Sequence, residues 1–558
     1  MRLTRTLRSL RTPRALALDL SQPVTDAPSD DLLARFRAQG RPALRDVLDA
    51  LEAAASDPRI EAIVAKVDAP AETWAHAQEL HAAIIAFRAS GKPAIAHAQS
   101  FSEAGNAVLA YLVATAFEEI HLQPTGDVGV TGVAAVQPFV ADLLDKLDVV
   151  PQLEHRHEYK SAKDLFTERG FTDAHREAAD RIVTSMHEQL VEAIAAGRDV
   201  TSERAAALID QAPHLGEDAL ANGLVDRLAY RDETFAEAKR RAGEAATLVP
   251  LDRYRSVVRR RQLRHPRRPT IALIHGHGAI GVGRSRPGAM GSSMGADTVV
   301  AGFQQAINDD RVRAIVFRVE SPGGSAVASD AIWRAVARAR EAGKPVVVSM
   351  GGVAGSGGYW VSMGADRIVA SPGTITGSIG VVYGKLVARG LFERVGITTD
   401  EVHRGDNALL MSTFRPFTED QRAKNDAFLD RVYATFVDRV ADGRGLDRAH
   451  VHEVARGRVW TGTDALARGL VDELGGYRQA LAAARSLAGI AADAPVKLEE
   501  LPHRPLPERL GLRPPADPEA RALLTGLGGL VRLLRPGSGT QAQMPAWADP
   551  AARAGPQR

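Results

Sequence analysis

The chain has 558 residues, 45% of them apolar and 25% charged, with a formal net charge of +2. That length holds more than one core, and the near-neutral balance excludes a strongly basic nucleic-acid binder. The absence of cysteine excludes disulfides, thiolate metal sites and a cysteine nucleophile, and leaves the compartment open. Residues 1–11 form a basic tail, with Arg2, Arg5, Arg8 and Arg11 at every third position and Leu3, Leu7 and Leu10 between them. No apolar run there reaches the length of a signal-peptide core, or the roughly 20 residues of a membrane span. Such a tail can touch anionic lipid peripherally, but the simpler expectation is a frayed end entering a first strand at 15–20. A cytoplasmic or peripherally membrane-associated protein is expected.

Internal similarity dominates the rest of the chain. Asp57-Pro58-Arg59-Ile60-Glu61-Ala62-Ile63-Val64 recurs as Asp309-Asp310-Arg311-Val312-Arg313-Ala314-Ile315-Val316 at an offset of 252. Gly91-Lys92-Pro93 recurs as Gly343-Lys344-Pro345 at the same offset. Near the end of each copy, Gly216 to Asp226 matches Gly462 to Asp472 at an offset of 246. Collinear matches with a slowly drifting offset predict two homologous halves, 12–240 and 269–490. Between them, 241–268 carries Arg259-Arg260-Arg261 and Arg267-Arg268 and reads as an exposed basic linker. After 490 the chain turns rich in proline and glycine, and 491–558 is expected to be a poorly ordered tail.

In the second half, 269–274, 314–319, 345–350 and 367–370 read as strands, and 299–307 and 328–340 as helices. This alternation predicts an α/β fold with parallel sheets and crossover helices. The uncharged window 345–365, rich in glycine and serine, suits close packing inside such a fold better than a membrane span. Within it, Gly355-Ser356-Gly357-Gly358 places a serine where a strand gives way to a helix. Backbone N–H groups there can stabilise an oxyanion. Taken alone, an ordinary N-cap serine in a glycine-rich turn is the better explanation.

A second motif, Ser321-Pro322-Gly323-Gly324-Ser325, follows the preceding strand. Loops at the carboxyl ends of parallel strands converge on one crevice, so Gly323 or Gly324 can offer a second donor beside Ser356. The base is less obvious. His275, His277, His403, His450 and His452 are scattered and give no Ser-His-Asp order. The pairs 275/277 and 450/452 lack a third ligand, so no metal is expected. A lysine neutralised by burial can act instead.

These serine–glycine motifs, together with Gly377-Ser378-Ile379-Gly380 and Gly457-Arg458-Val459-Trp460-Thr461-Gly462, resemble the signal peptide peptidase A (protease IV) family. The likeness covers nearly the whole chain. It implies tandem ClpP/crotonase-like spiral domains and a Ser/Lys peptidase. In the long members the serine lies in the second half and the lysine in the first, within a Tyr-Lys-Ser-Ala motif. This chain has Tyr159-Lys160-Ser161-Ala162. The resemblance therefore implies Ser356 as nucleophile, Lys160 as general base and acid, and Ser378 as the residue that orients the lysine. Gly357 with Gly323 or Gly324 would form the oxyanion hole. It also implies peptide substrates that are short and apolar, such as cleaved signal peptides, no cofactor, no nucleic acid, and a homo-oligomer, a tetramer. Long members usually carry an N-terminal membrane anchor, and none is legible here.

The repeat supports the pairing separately. At an offset of 248 Ser356 falls opposite Val108, and at 246 Lys160 falls opposite Asp406. Each half keeps what the other lacks. Two competing readings are a crotonase-type acyl-CoA enzyme, which shares the spiral fold, and a catalytically silent membrane-associated scaffold.

Overall fold

The computed structural model describes residues 13–26, 41–103, 107–262, 268–286, 293–503 and 541–543. The basic tail 1–11 and most of 491–558 lie outside them.

In the first half, short β-branched and alanine-rich runs form a parallel sheet. Arg14–Asp19, Ile60–Lys66, Ala94–Ala98 and Glu119–Leu122 pair in succession. Arg227–Leu228 and Thr247–Pro250 close its two edges. Helices Leu44–Ser56, Trp74–Arg88 and Ala107–Ala114 run between the strands. The second half repeats the plan with Thr270–His277, Val312–Ser321 and Val346–Gly355 in parallel. Every residue of Val346–Gly355 is buried, as expected for a strand covered on both faces. This strand then splits its pairing: its first part meets Arg367–Ala370 and its end meets Ile375–Gly377. The expected parallel α/β architecture is thus present in both halves. Ile271, Leu273, Val316 and Val347 join the first half's apolar cluster, so the two halves share core.

The repeated motifs prove to be paired structural clamps. Lys92 Nζ donates to the carbonyls of Ala54, Ala55 and Asp57 at 2.9–3.0 Å, collecting the open end of helix Leu44–Ser56. Lys344 does the same for Asp309 and Val312. The Asp226 carboxylate accepts from Ile120 N–H at 2.7 Å, and Asp472 from Ile368 N–H at 2.7 Å. Tyr111 donates to the Leu224 carbonyl, and Tyr359 to that of Leu470.

Four elements lie beyond the expected boundaries. In 241–268, strand Thr247–Pro250 completes the first sheet, and helix Leu251–Gln262 buries Leu251 and Tyr254. Arg253 and Arg255 of that helix are exposed. Lys497–Leu501 extends the second sheet past 490, beside Thr270–His277. Within the tail, Gln541–Gln543 is a strand of a third sheet.

That third sheet positions the site. Its order is Ser293–Gly295, Ala279–Gly281, Gly323–Ser325, Gln541–Gln543, Val381–Val387 and Val150–Arg156. Val150–Arg156 belongs to the first half, yet pairs antiparallel with Val381–Val387 of the second along its whole length. The ladder carries the segment after Arg156 into the second half. Among the described residues, no helix is long and apolar enough to cross a membrane.

Candidate active site

Ser356 stands between the end of strand Val346–Gly355 and the short helix Gly357–Trp360. Its backbone holds φ 54° and ψ −115°, a conformation that is costly for a residue with a Cβ and persists where surroundings enforce it. They do so here: Ser356 N–H donates to the Gly377 carbonyl at 2.8 Å, and its own carbonyl accepts from Trp360 N–H at 2.9 Å. The side chain is buried.

Lys160 arrives from the other half, on the turn between strand Val150–Arg156 and the 3-10 turn Ser161–Lys163. Its N–H donates to the His157 carbonyl at 3.0 Å, and its carbonyl meets His155 Nδ1 at 3.0 Å. The side chain is wholly buried. Nζ lies 2.9 Å from each of Ser356 Oγ, Ser378 Oγ and the Ser378 carbonyl oxygen. Burial pushes the amine down to a pKa of about 7 by disfavouring its charged form. Three partners match a neutral amine with two N–H groups and one lone pair. The Ser378 carbonyl can only accept, so it takes one N–H, and the lone pair can face the Ser356 hydroxyl. Ser378 is itself held at φ 52°, its N–H donating to the Arg458 carbonyl at 2.7 Å.

The glycine loop lies against this pair. A Cβ built on Gly357 would stand 3.1 Å from Gly324 N and 3.3 Å from Gly323 Cα. Gly323 and Gly324 have φ of 110° and 152°, open to glycine and strained for any other residue. Gly323 N–H is engaged with Ser321 Oγ at 3.2 Å, so Gly324 is the candidate donor of the two. The six residues singled out in the sequence therefore gather at one place.

Two parts of the site were not read as functional. Gly457 has φ 85°, and a Cβ on it would stand 2.5 Å from both Lys160 N and Lys160 Cβ. Gly380 packs onto Gly457 in turn, at 2.8 Å from a built Cβ to the Gly457 Cα. The signal was present in the motif stretches 377–380 and 457–462, but only as a family likeness, without a role. The second part is a buried ionic cluster beneath the glycine loop. Arg318 donates to Asp26 (2.9 Å), Glu79 (2.8 Å) and Ser349 Oγ (2.9 Å). His76 Nε2 meets Asp26 at 2.9 Å, and Glu320 accepts from Gly352 N–H at 2.5 Å.

Burial disfavours the Asp26 carboxylate, yet Arg318 and His76 hold its pKa well below the usual range. Burial, with Asp26 nearby, pushes Glu320 up to about 8, so at neutral pH it is mostly protonated. Asp26, His76 and Glu320 come within 4.8 Å of one another. Arg318 already supplies a cation against Asp26. The pair 450/452 has partners elsewhere: His452 Nδ1 meets Tyr433 OH at 2.9 Å, and His450 Nε2 meets the Arg468 carbonyl at 3.3 Å.

Comparison with known proteins identifies the family. A statistical description of peptidase family S49 matches residues 86–244 and 338–491, one stretch in each half. Protease 4 of Salmonella typhi is 34% identical over 500 residues, covering 85% of this chain and 78% of that protein. The chloroplastic serine protease SPPA of Arabidopsis thaliana is 29% identical over 489 residues, 86% of this chain and 71% of its own. Protease 4 of Haemophilus influenzae is 30% identical over 471 residues, 81% and 74% respectively. A ClpP1 mutant structure from Listeria monocytogenes is matched over 38% of this chain and 94% of its own, at 14% identity and a TM-score of 0.24. The relatives set aside the acyl-CoA and scaffold readings. The chain belongs to peptidase family S49 and is a serine peptidase.

Proposed function

We propose that Ser356 and Lys160 form a Ser/Lys dyad with which the chain cleaves short apolar peptides, cleaved signal peptides among them. The observation that carries this reading is the buried Lys160 Nζ, 2.9 Å from Ser356 Oγ. Neutral Lys160 takes the hydroxyl proton as Oγ attacks a peptide carbonyl. The new oxyanion lies between the N–H groups of Gly357 and Gly324. The resulting ammonium keeps its bonds to Ser378 and delivers its proton to the leaving amine. Water then adds to the acyl ester, losing a proton to Lys160, which hands it to Ser356 Oγ as the C–Oγ bond breaks and the acid departs. Ser378 orients the amine throughout, and the scheme uses no metal or cofactor.

The apolar preference is consistent with the edges beside the dyad, Gly323–Ser325 and Val381–Val387, of which Lys385 is the one charged residue and is largely buried. The same reading includes a homo-oligomer, a tetramer by family resemblance, and peripheral contact with a membrane. Light scattering tests the first, and fractionation with a salt wash tests the second. The dyad is tested by turnover of an internally quenched apolar peptide. Lys160→Met should lower kcat by about 10²–10⁴-fold, and Ser356→Ala by at least as much. Full turnover by Ser356→Ala would end the proposal.

A further inference from the structure

We infer that Glu320 is a positioning residue for the oxyanion hole: its side chain replaces a missing rung between the two strands that lead to Gly324 and Gly357, and so fixes those two donors against each other. The inference rests on the dyad and oxyanion reading above.

The observation is a bulge in the nucleophile strand. Val312–Ser321 and Val346–Gly355 pair in register up to Val319 opposite Met350, and pair again at Ser321 opposite Ala354. Glu320 alone therefore faces Gly351, Gly352 and Val353. Such a bulge re-aims the chain beyond it and strips ladder groups of their partners, and buried backbone groups must find others. Side chains supply them. Glu320 Oε2 accepts from Gly352 N–H at 2.5 Å, and Thr374 Oγ1 donates to the Gly351 carbonyl at 2.7 Å. Val353 pairs instead with Ile375. The two glycines make room for this arrangement: a Cβ on Gly351 would collide with Glu320 Oε2, and one on Gly352 would stand 2.7 Å from Thr73 Cβ.

Both ends of the Glu320–Gly352 bond lead into the site. Gly324 follows Glu320 by four residues, and Ser356 follows Gly352 by four. The intervening chain has little freedom. The Glu320 carbonyl accepts from Gly278 N–H at 2.8 Å, and Ser321 Oγ donates to the Gly278 carbonyl at 2.7 Å. A Cβ on Gly358 would stand 2.6 Å from the Ser321 carbonyl oxygen. A shift of Glu320 against Gly352 is thus passed on to Gly324 against Gly357. Either protonation state of the carboxyl offers an acceptor, so the role does not depend on titration. The first half keeps a simpler version of the device. Asp68 falls opposite Glu320 at the offset of 252; its Oδ1 accepts from Gln99 N–H at 2.9 Å, and Lys66 Nζ lies 2.9 Å from its carboxylate. That half has Val108 where the other has Ser356, so Asp68 serves as an internal control.

The test uses the full chain. Glu320→Gln keeps an acceptor at the same reach. Glu320→Asp keeps the charge but stops one methylene short, and Glu320→Met fills the space with no acceptor. On a quenched apolar peptide, well below each thermal midpoint, Glu320→Asp and Glu320→Met should lose kcat at least about tenfold with KM little changed, because an oxyanion donor acts in the transition state. Glu320→Gln should keep kcat within about twofold of wild type, and Asp68→Ala should leave it unchanged. Fluorophosphonate labelling of Ser356 should slow in the same two variants while its pH midpoint stays at about 7, since Lys160 is untouched. Should Glu320→Met not fold, the ranking of Gln above Asp decides. Wild-type kcat in Glu320→Asp, Glu320→Gln as slow as Glu320→Asp, a loss confined to KM, or a displaced labelling midpoint would overturn the role of Glu320 and leave the dyad standing. No labelling of Ser356 in the wild-type protein would overturn the dyad, and this inference with it.

Discussion

Replacing Lys160 with methionine should make the protein more stable while making it inactive. The amine falls from 10.5 to about 7 on burial alone, a shift that corresponds to about 4–5 kcal/mol at 1.36 kcal/mol per unit. Below pH 7 both folded and unfolded chains hold the proton, and the fold carries the full cost of a buried ammonium. Between pH 7 and 10.5 the unfolded chain holds a proton that the folded chain lacks, so wild-type stability climbs with pH. Above 10.5 the penalty is gone.

Methionine fills similar space and never bears the charge. It also abandons three contacts at 2.9 Å and leaves the Ser378 carbonyl unpaired, a loss of about 1–3 kcal/mol. The net gain near pH 7 is then about 2 kcal/mol. At about 2–4 °C per kcal/mol for a cooperative unit the size of one half, the midpoint rises by about 4–8 °C. Thermal scans of both proteins from pH 6 to 10, at one scan rate, measure it. The gap should shrink steadily above pH 7 and reverse near pH 10, where only the lost contacts count. A variant less stable than wild type at pH 7, or a gap that ignores pH, would refute the argument.

Other outcomes follow from the same geometry. Gly457→Ala places a Cβ 2.5 Å from the Lys160 backbone at φ 85°; it should lower kcat at least about tenfold, whereas a Lys160 shift of 1 Å already suffices for losses of that order. Gly91→Ala is the control: φ is 79° but nothing lies within 4 Å of its Cβ, so it should cost about 1–2 kcal/mol in unfolding and leave kcat alone. Arg318→Met strands the buried carboxylates of Asp26 and Glu79 and should destabilise by about 3–5 kcal/mol, read as a lowered thermal midpoint. Ser378→Ala removes one of three partners of Nζ and should lower kcat with little change in KM.

The sequence carried the repeat, the strand–helix alternation and the six residues that meet around Ser356. Glycines at positive φ and β-branched runs leave a direct local trace, whereas Lys160 and Ser378 were assigned through the family resemblance. The complementary absences at Val108 and Asp406 came from the repeat. What stayed hidden depends on distant pairing. Nothing local announces that Val150–Arg156 of one half joins Val381–Val387 of the other, yet that ladder delivers Lys160. Asp26 and Glu79 meet Arg318 from positions more than 200 residues away, and His76 meets Asp26; each alone looks like a surface residue. Lys92 and Lys344 stood out as repeated letters, but their work is closing backbone carbonyls. Gln541–Gln543 lies in a stretch whose composition argues against any strand, and two waiting edges supply what its side chains do not.

The pH dependence of Ser356 labelling by a fluorophosphonate tests the central claim most directly. With Lys160 as base, only the neutral amine activates the hydroxyl, so the rate should rise with pH through a single midpoint of about 7 and then level off. Lys160→Met should lose at least about 10²-fold of the plateau rate. A variant labelled as fast as wild type, or a wild-type profile with no step near neutrality, would contradict the account.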